Sequence, residues 1–343
     1  MKKTKKTILI IVCVLEALVL AFLLCGTIFL ETKLGKINRK GEFQGFTEEE
    51  LAALEENNPD IQGEVVDPDS IEWGDDAAQI GGGKDIINIL LIGQDRREGE
   101  GRARSDAMIL VTINKSAKTL TMTSFMRDMY VQIPGYLDNR INASYAFGGM
   151  DLLNACINKN FGVVIDGNIE VDFSGFQEVI DILGGVDIEL TAAEADYLNA
   201  RGNWDVESNA GTWNLKPGVN HLTGSQALAY SRIRKVGNGD FGRTNRQRTV
   251  LTALADQAKG MTVTQANKLL DKILPLLTTD LSDKQIMRLV MDILPMLSEL
   301  KFSSQQIPAE GAYYPAYFEE RNMAVLVPNL EKNRQILAEI MKE

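Results

Sequence analysis

The stretch Asp85–Gly93, "DIINILLIG", is a continuous apolar run closed by a glycine. Such a run fits a strand buried on both faces, the kind found at the centre of an α/β sheet. Downstream, "DAMILVTINKSAKTLTMTSFM" (106–126) reads as two more strands joined by a turn at "NKSAK". A helix is expected over "GGMDLLNACINKNFG" (148–162). The segment "IEVDFSGFQEVIDILGGVDIEL" (169–190) reads as strand, helix, glycine stop and strand. "TGSQALAYSRIR" (223–234) and "RTNRQRTVLTALADQAKG" (243–260) read as helices, and two more follow around 263–278 and 282–300. This alternation predicts a three-layer α/β/α domain around a central mixed sheet.

The chain has 343 residues, 45% of them hydrophobic and 24% charged, enough for one large domain or two small ones. Its net charge of −11 excludes the broad basic surface that a nucleic-acid binder needs. Three cysteines and one histidine supply neither a disulfide framework nor a zinc-ligand spacing. Cys156 reads as a small buried apolar residue, and His221, in the turn-like "PGVNHLTG", as structural.

The first seven residues carry four lysines, and an apolar run from Ile8 to Leu30 follows. As a helix this run spans roughly 35 Å, enough to cross a bilayer core. The lysines orient residues 1–7 to the cytoplasm and everything after the span to the outside. Nothing like A-x-A follows the run, and Leu23 and Leu24 precede Cys25, so neither signal-peptide cleavage nor a lipoprotein site is expected. Glu16 within the span is costly. Residues 31–85 are acidic, with one short helix opened by Thr47, and read as a loosely ordered spacer. Residues 86–343 form the external domain in this reading.

Ligands of open α/β sheets sit beyond the carboxyl ends of the strands. The residues beyond "NILLIG" are "QDRREGEGRARSDAM", with Asp95, Arg96, Arg97, Arg102, Arg104 and Asp106; "MRD" (Arg127, Asp128) ends a later strand. In "GDFGRTNRQR" (239–248), the apolar stripe of the following helix, traced back by fours, passes through Arg243, Arg246 and Gln247. Arg248 leads instead to Thr252 and Asp256, a solvent face in this reading. Inward arginines demand an anionic ligand or an ion-pair partner, and a helix N-terminus favours an anion. With Arg104, Arg127, Arg232 and Arg234, Arg243 could clamp a diphosphate through planar forks of donors. Asp95 and Asp106 would hold magnesium beside it.

These blocks, with "RINASYAFGG", "DFSGFQEVIDILGGVDIEL" and "LTGSQALAYSRIR", resemble the LytR-CpsA-Psr family over roughly residues 86–260. The resemblance implies an apolar tunnel for a prenyl chain beside the sheet. It implies an enzyme that transfers an anionic glycan polymer, such as teichoic acid or capsule, from an undecaprenyl-pyrophosphate carrier to peptidoglycan. The expected acceptor is the C6 hydroxyl of N-acetylmuramic acid. By motif, Asp95 and Asp106 match the metal-binding aspartates, for magnesium or manganese. Arg97, Arg104, Arg127, Arg232, Arg234, Arg243 and Gln247 match the pyrophosphate set, with Asp240 orienting the arginines. Asp95, Asp106, Arg104, Arg127 and Arg243 are the expected catalytic group. Two departures occur: Arg96 is extra in the D-x-R motif, and Met126 stands where the family has proline before Arg127.

The same site could serve a hydrolase with water as nucleophile, and the sequence does not separate the two. A non-catalytic lipid-binding sensor is the other reading, opposed by a cytoplasmic tail too short to form a reader domain. A structural wall adhesin would not need inward-facing arginines.

Overall fold

The computed structural model describes residues 32–41, 45–53, 58, 60–94, 105–200, 213–259 and 269–342. A seven-stranded sheet organises the domain. Its strands are β1 (Asn38–Arg39), β2 (Ile86–Gln94), β3 (Ser105–Asn114), β4 (Thr119–Phe125), β5 (Gly167–Asp172), β6 (Thr278–Thr279) and β7 (Lys301–Ile307). They lie in the order β1-β6-β5-β2-β3-β4-β7. β2 runs antiparallel to β3 and parallel to β5, while β4 runs antiparallel to β3 and parallel to β7, so the sheet is mixed as expected.

The central strand β2 is apolar on both faces because both are covered. Leu90 and Ile92 point into one core with Leu153, Ile157 and Leu337, from α2 (Ile141–Phe161) and α8 (Leu330–Ile340). Ile87 and Ile89 point the other way, toward Ile286, Leu289 and Met296. On that second side lie α3 (Phe173–Leu183), α5 (Gly224–Arg232), α6 (Gly239–Lys259) and α7 (Asp283–Ile293). Helix α4 (Ala192–Asn199) packs onto α5 in a satellite cluster.

Several local expectations change. Helix α2 begins seven residues before the glycine pair, which kinks it: Gly149 has φ 61°. Helix α6 begins at Gly239, whose φ of 50° favours glycine and where a Cβ would meet Asp60 Oδ2 at 3.2 Å. Strand Val186–Leu190 does not join the sheet; it pairs antiparallel with Gly218–Leu222. The expected helix at 263–278 is, where described, α-helical over 269–273 and then gives way to a tight turn around Pro275 and β6, and the one at 282–300 leaves α-helical geometry at Ile293, just before Pro295. Beyond residue 300 the chain supplies β7 and a hairpin, Tyr313–Phe318 with Met323–Pro328, before α8.

The acidic segment read as a loose spacer is instead part of the domain. Asn38–Arg39 forms the sheet edge, and Leu51, in α1 (Glu48–Ala53), is buried in the main core. Glu64–Val65 pairs with Ala316–Tyr317, and Trp73 tilts against Tyr130 at 5.6 Å. A few well-spaced apolar residues anchor this segment while its carboxylates stay in water, so composition alone conceals the packing. The apolar run Ile8–Leu30 lies outside the described residues; among those described, no helix is long and apolar enough to cross a membrane.

Candidate active site

A β-bulge creates the first element of the site. The β2–β3 register shifts so that Gly93 faces Ala107 and Gln94 faces Ser105, leaving Asp106 without a partner across the ladder. A bulge re-aims a side chain at a strand end, and here Asp106 meets Arg127, two residues past β4. Arg127 Nη1 donates to Asp106 Oδ1 at 2.8 Å. The loop between α5 and α6 supplies Arg234, and the first turns of α6 supply Asp240 and Arg243.

Asp240 is the hub. Its Oδ2 accepts from Asn58 Nδ2 at 2.9 Å and lies 3.7 Å from Arg127 Nε. Its Oδ1 lies 3.1 Å from Arg234 Nε and 3.4 Å from Arg243 Nε. Those two approaches are ion pairs without hydrogen-bond angles, so Asp240 Oδ1 and Arg243 Nε remain buried with no hydrogen-bond partner. Behind them Asp128 accepts from Asn58 at 2.6 Å and from Arg140 at 3.2 Å.

The charges are strongly coupled. Burial alone would raise the Asp106 carboxyl, but Arg127 and Arg243 outweigh it and hold the group below its usual range. Asp128 is likewise held down by Arg127 and Arg140 against its burial. Asp240 goes the other way: burial, with the neighbouring Asp128 charge, raises it despite the arginines. Burial, then repulsion from Arg127, pushes Arg243 down to about 10. Arginines confined this closely without full compensation form a cation cluster suited to a multiply charged anion.

Two adjoining apolar cavities lie on the second side of the sheet. One cavity of about 250 Å³ is walled by Gly93, Ala107, Ile109, Val171, Phe176 and Leu251. Another of about 440 Å³, bounded by Ile89, Val111, Ile286 and Ile293, shares Leu91, Ile169 and Leu277 with the first. Gln247 lies on the wall of the first cavity, one turn from Arg243, with its Oε1 buried and unpartnered. Arg232 lies over the ring of Phe173, another residue of that wall, at 4.7 Å. On the other flank a polar cleft of about 610 Å³ includes Asp60, Gln62, Arg234, Lys235 and Asp240, with Phe241 stacked on Tyr313.

Of the expected site residues, Asp106, Arg127, Arg234, Asp240 and Arg243 thus converge, while Gln247 and Arg232 stand at the apolar wall. Asp95, Arg97 and Arg104, with Arg96 and Arg102, lie outside the described residues. Arg246 is buried as expected, but it is held by Glu194 at 2.7 Å and by the carbonyls of Ile233 and Val236, a structural role. Arg248 corrects the reading: it is 5% exposed, not on a solvent face. Helix α6 is covered on two sides, by α5 and by β4 with strand 186–190, so a single apolar stripe could not define its buried surface. His221 is structural, bound between Asp187 Oδ1 and the Gly184 carbonyl, both at 2.6 Å. The buried Cys156 thiol is pushed up to about 12 and is no nucleophile.

Three site residues escaped assignment. Asp128 and Arg140 were visible only as members of motif blocks. Asn58 lay in the supposed spacer, where no local signal distinguishes it from a solvated asparagine.

The LytR_cpsA_psr family model matches residues 47–337. The chain belongs to that family. One relative, the polyisoprenyl-teichoic acid–peptidoglycan teichoic acid transferase TagU of Bacillus mycoides, is 39% identical over 170 residues, 49% of this chain and 51% of that protein. The chain thus matches about half the length of this relative. The regulatory protein MsrR of Staphylococcus aureus is 30% identical over 258 residues, 75% of each chain. Among solved structures, the LytR-CPS2A-psr family protein YwtF (TagT) with bound octaprenyl pyrophosphate lipid superposes with a TM-score of 0.57 at 27% identity. That match covers 76% of this chain and 92% of the other.

Proposed function

We propose that this protein is a phosphotransferase that moves an anionic glycan polymer from a polyprenyl-pyrophosphate carrier, undecaprenyl pyrophosphate, onto peptidoglycan. The observation that carries the reading is one juxtaposition: arginines gather on Asp240, and the buried one among them, Arg243, lies one helical turn from Gln247 on the wall of an apolar cavity. A prenyl pyrophosphate has the same two parts, a long apolar chain and a compact polyanion. The names of the TagU relative and of the lipid-bound TagT structure support the same assignment.

In this reading the prenyl chain lies along Leu91, Ile109 and Ile169, and the pyrophosphate meets Arg127, Arg234 and Arg243. The orphaned Arg243 Nε is a donor a phosphate oxygen would satisfy. Arg97, Arg104, Arg232 and Gln247 complete the expected pyrophosphate set. The glycan extends into the polar cleft beside Phe241 and Tyr313. A hydroxyl of the acceptor, the C6 hydroxyl of N-acetylmuramic acid, attacks the sugar-linked phosphorus. The bridging P–O bond breaks and polyprenyl phosphate leaves. The hydroxyl proton passes to a carboxylate of the cluster; Asp240, raised by burial, is the best suited of the three described. Fixed guanidinium groups neutralise charge on the phosphate oxygens as the transition state forms.

The donor chemistry fits a divalent metal at Asp106: its carboxyl is held ionised, and Arg127 donates to only one of its oxygens. Asp95 would be the second ligand. Magnesium or manganese there would shield the phosphate charge. The apolar run Ile8–Leu30 would anchor the chain in the cell membrane, with the domain outside.

The test uses the full chain in detergent with a prenyl-pyrophosphate-linked glycan, peptidoglycan oligomers and magnesium, read by mass spectrometry. Glycan attached to the oligomer is the expected result. Free glycan phosphate without attachment would make the protein a hydrolase. Bound, unchanged lipid with every acceptor tried would move it to a regulatory role of the kind MsrR is named for.

A further inference from the structure

Arg248 does not belong to the arginine cluster, and nothing in the proposed transfer uses it. It is 5% exposed, yet its hydrogen bonds go only to neutral groups: Nη1 to Ser124 Oγ at 2.7 Å and Nη2 to Asn245 Oδ1 at 3.4 Å. Its Nε has no partner. Among the described residues no carboxylate forms an ion pair with it, whereas buried Arg246 has Glu194 and buried Arg140 has Asp128. Burial alone pushes the guanidinium down to about 10. A buried cation without a counter-ion is expensive, and proteins seldom keep one for stability.

Arg248 lines a polar cleft of about 290 Å³ between α6, strand 186–190 and Ser304 of β7. Asp187, Glu189 and Asp256, all exposed, line the same cleft. This arrangement discriminates between anions. Asp187 is already paired with His221, but Glu189 still faces the cleft and would repel a phosphate polymer brought to the one arginine. A single carboxylate with an ammonium group beside it would find a partner for each charge. That is the chemistry of an amino acid or a short peptide.

We propose that Arg248 forms the base of a subsite for a zwitterionic peptide segment, with Arg248 taking the carboxylate and Glu189 taking the ammonium. Resting on the proposed transfer to peptidoglycan, this segment is the peptide borne by the acceptor strand. Arg248 lies five residues beyond Arg243 along α6, about 7.5 Å. Ser124 lies three residues before Arg127, about 10 Å along the chain. These axial spans are roughly two to three extended residues, but Arg248 is turned about 140° around α6 from Arg243, so a peptide on the acceptor strand would run around the start of the helix to join the two places.

The first arm measures binding, without turnover, by calorimetry on the full chain in detergent. The probes are a wall tetrapeptide with free carboxylates and a free lysine amine, the same peptide amidated at its carboxylates, and inorganic phosphate. The free-acid peptide should bind, and the other two should not. Arg248→Met should weaken the peptide about 30-fold, the loss expected for a charged hydrogen-bonded pair. Without peptide, Arg248→Met should match or exceed the wild type in urea midpoint, because an uncompensated charge has been removed. Glu189→Gln, which leaves Arg248 in place, should weaken the peptide without altering the midpoint. Equal peptide affinity in wild type and both variants, preference for phosphate, or no peptide binding would each overturn the subsite. The second arm compares transfer to glycan strands with and without peptides. Equal transfer would sink the subsite and leave the transferase standing; peptide binding without any transfer would do the reverse.

Discussion

Replacing Arg243 by methionine should strengthen the empty protein and weaken its hold on ligand. Arg243 is 4% exposed and shares its surroundings with Arg127 and Arg234. Its proton affinity falls from 12.5 to about 10. At about 1.4 kcal/mol per pH unit, the native surroundings disfavour the charged form by about 3 kcal/mol. Methionine fills much of the same volume without the charge. Part of the gain is lost because Asp240 gives up one of its cations, although Arg234 at 3.1 Å and Asn58 at 2.9 Å remain. A net stabilisation of about 1–2 kcal/mol is expected in the absence of ligand. The ligand-bound state changes in the opposite sense. Losing a charge-assisted bond to pyrophosphate costs about 1.5–3 kcal/mol, or about 10- to 150-fold in affinity. The assay is urea unfolding of the full chain in detergent, with and without geranylgeranyl pyrophosphate. The midpoint of the variant should lie above wild type without ligand, and the ligand-induced rise should shrink. A variant that is less stable when empty, with its ligand-induced rise intact, would show that Arg243 holds the fold together and does not serve an anion.

Asp106→Asn should lower metal-dependent turnover by about 100-fold or more while the protein still unfolds in one cooperative urea transition; unchanged turnover would remove Asp106 from the metal site. Leu251→Trp should fill the smaller apolar cavity, weakening geranylgeranyl pyrophosphate while sparing isopentenyl pyrophosphate, and equal effects on both would disconnect that cavity from the lipid chain. Asp128 is depressed below its ordinary 3.8, so its contribution is present above about pH 4 and is lost as pH falls through its native value. Asp128→Asn should therefore lower stability at pH 7 by about 3 kcal/mol, by stranding Arg127 and Arg140, and flatten the loss between about pH 4 and pH 2; an acid-unfolding profile parallel to wild type would contradict the linkage. His221 is raised above 6.5 by Asp187, so its contribution is full below pH 6.5 and lost as pH rises through its native value. His221→Ala should lose more stability at pH 6 than at pH 9 with turnover unchanged, and a turnover defect would contradict its structural role.

Residues 85–126 were legible because a strand buried on both faces can be written only one way, as an uninterrupted apolar run, and the glycine that ends "NILLIG" marks where a site begins. The inward turn of Arg243 and Gln247 was legible for a related reason: helical spacing carries an apolar stripe directly into polar residues. The same logic failed at Arg248. A stripe specifies one buried face, and α6 is buried on two, the second by β4 and strand 186–190, partners far away in sequence. Asn58 failed for a different reason. Its place between Asp128 and Asp240 depends on a segment whose few anchors, Leu51 and Trp73 among them, are outnumbered by carboxylates. Local chemistry announces a residue when its neighbours in sequence are also its neighbours in space. Arg248 and Asn58 are joined to their partners by tertiary contacts alone, and both are buried polar groups whose cost of burial makes sense only once those contacts are known.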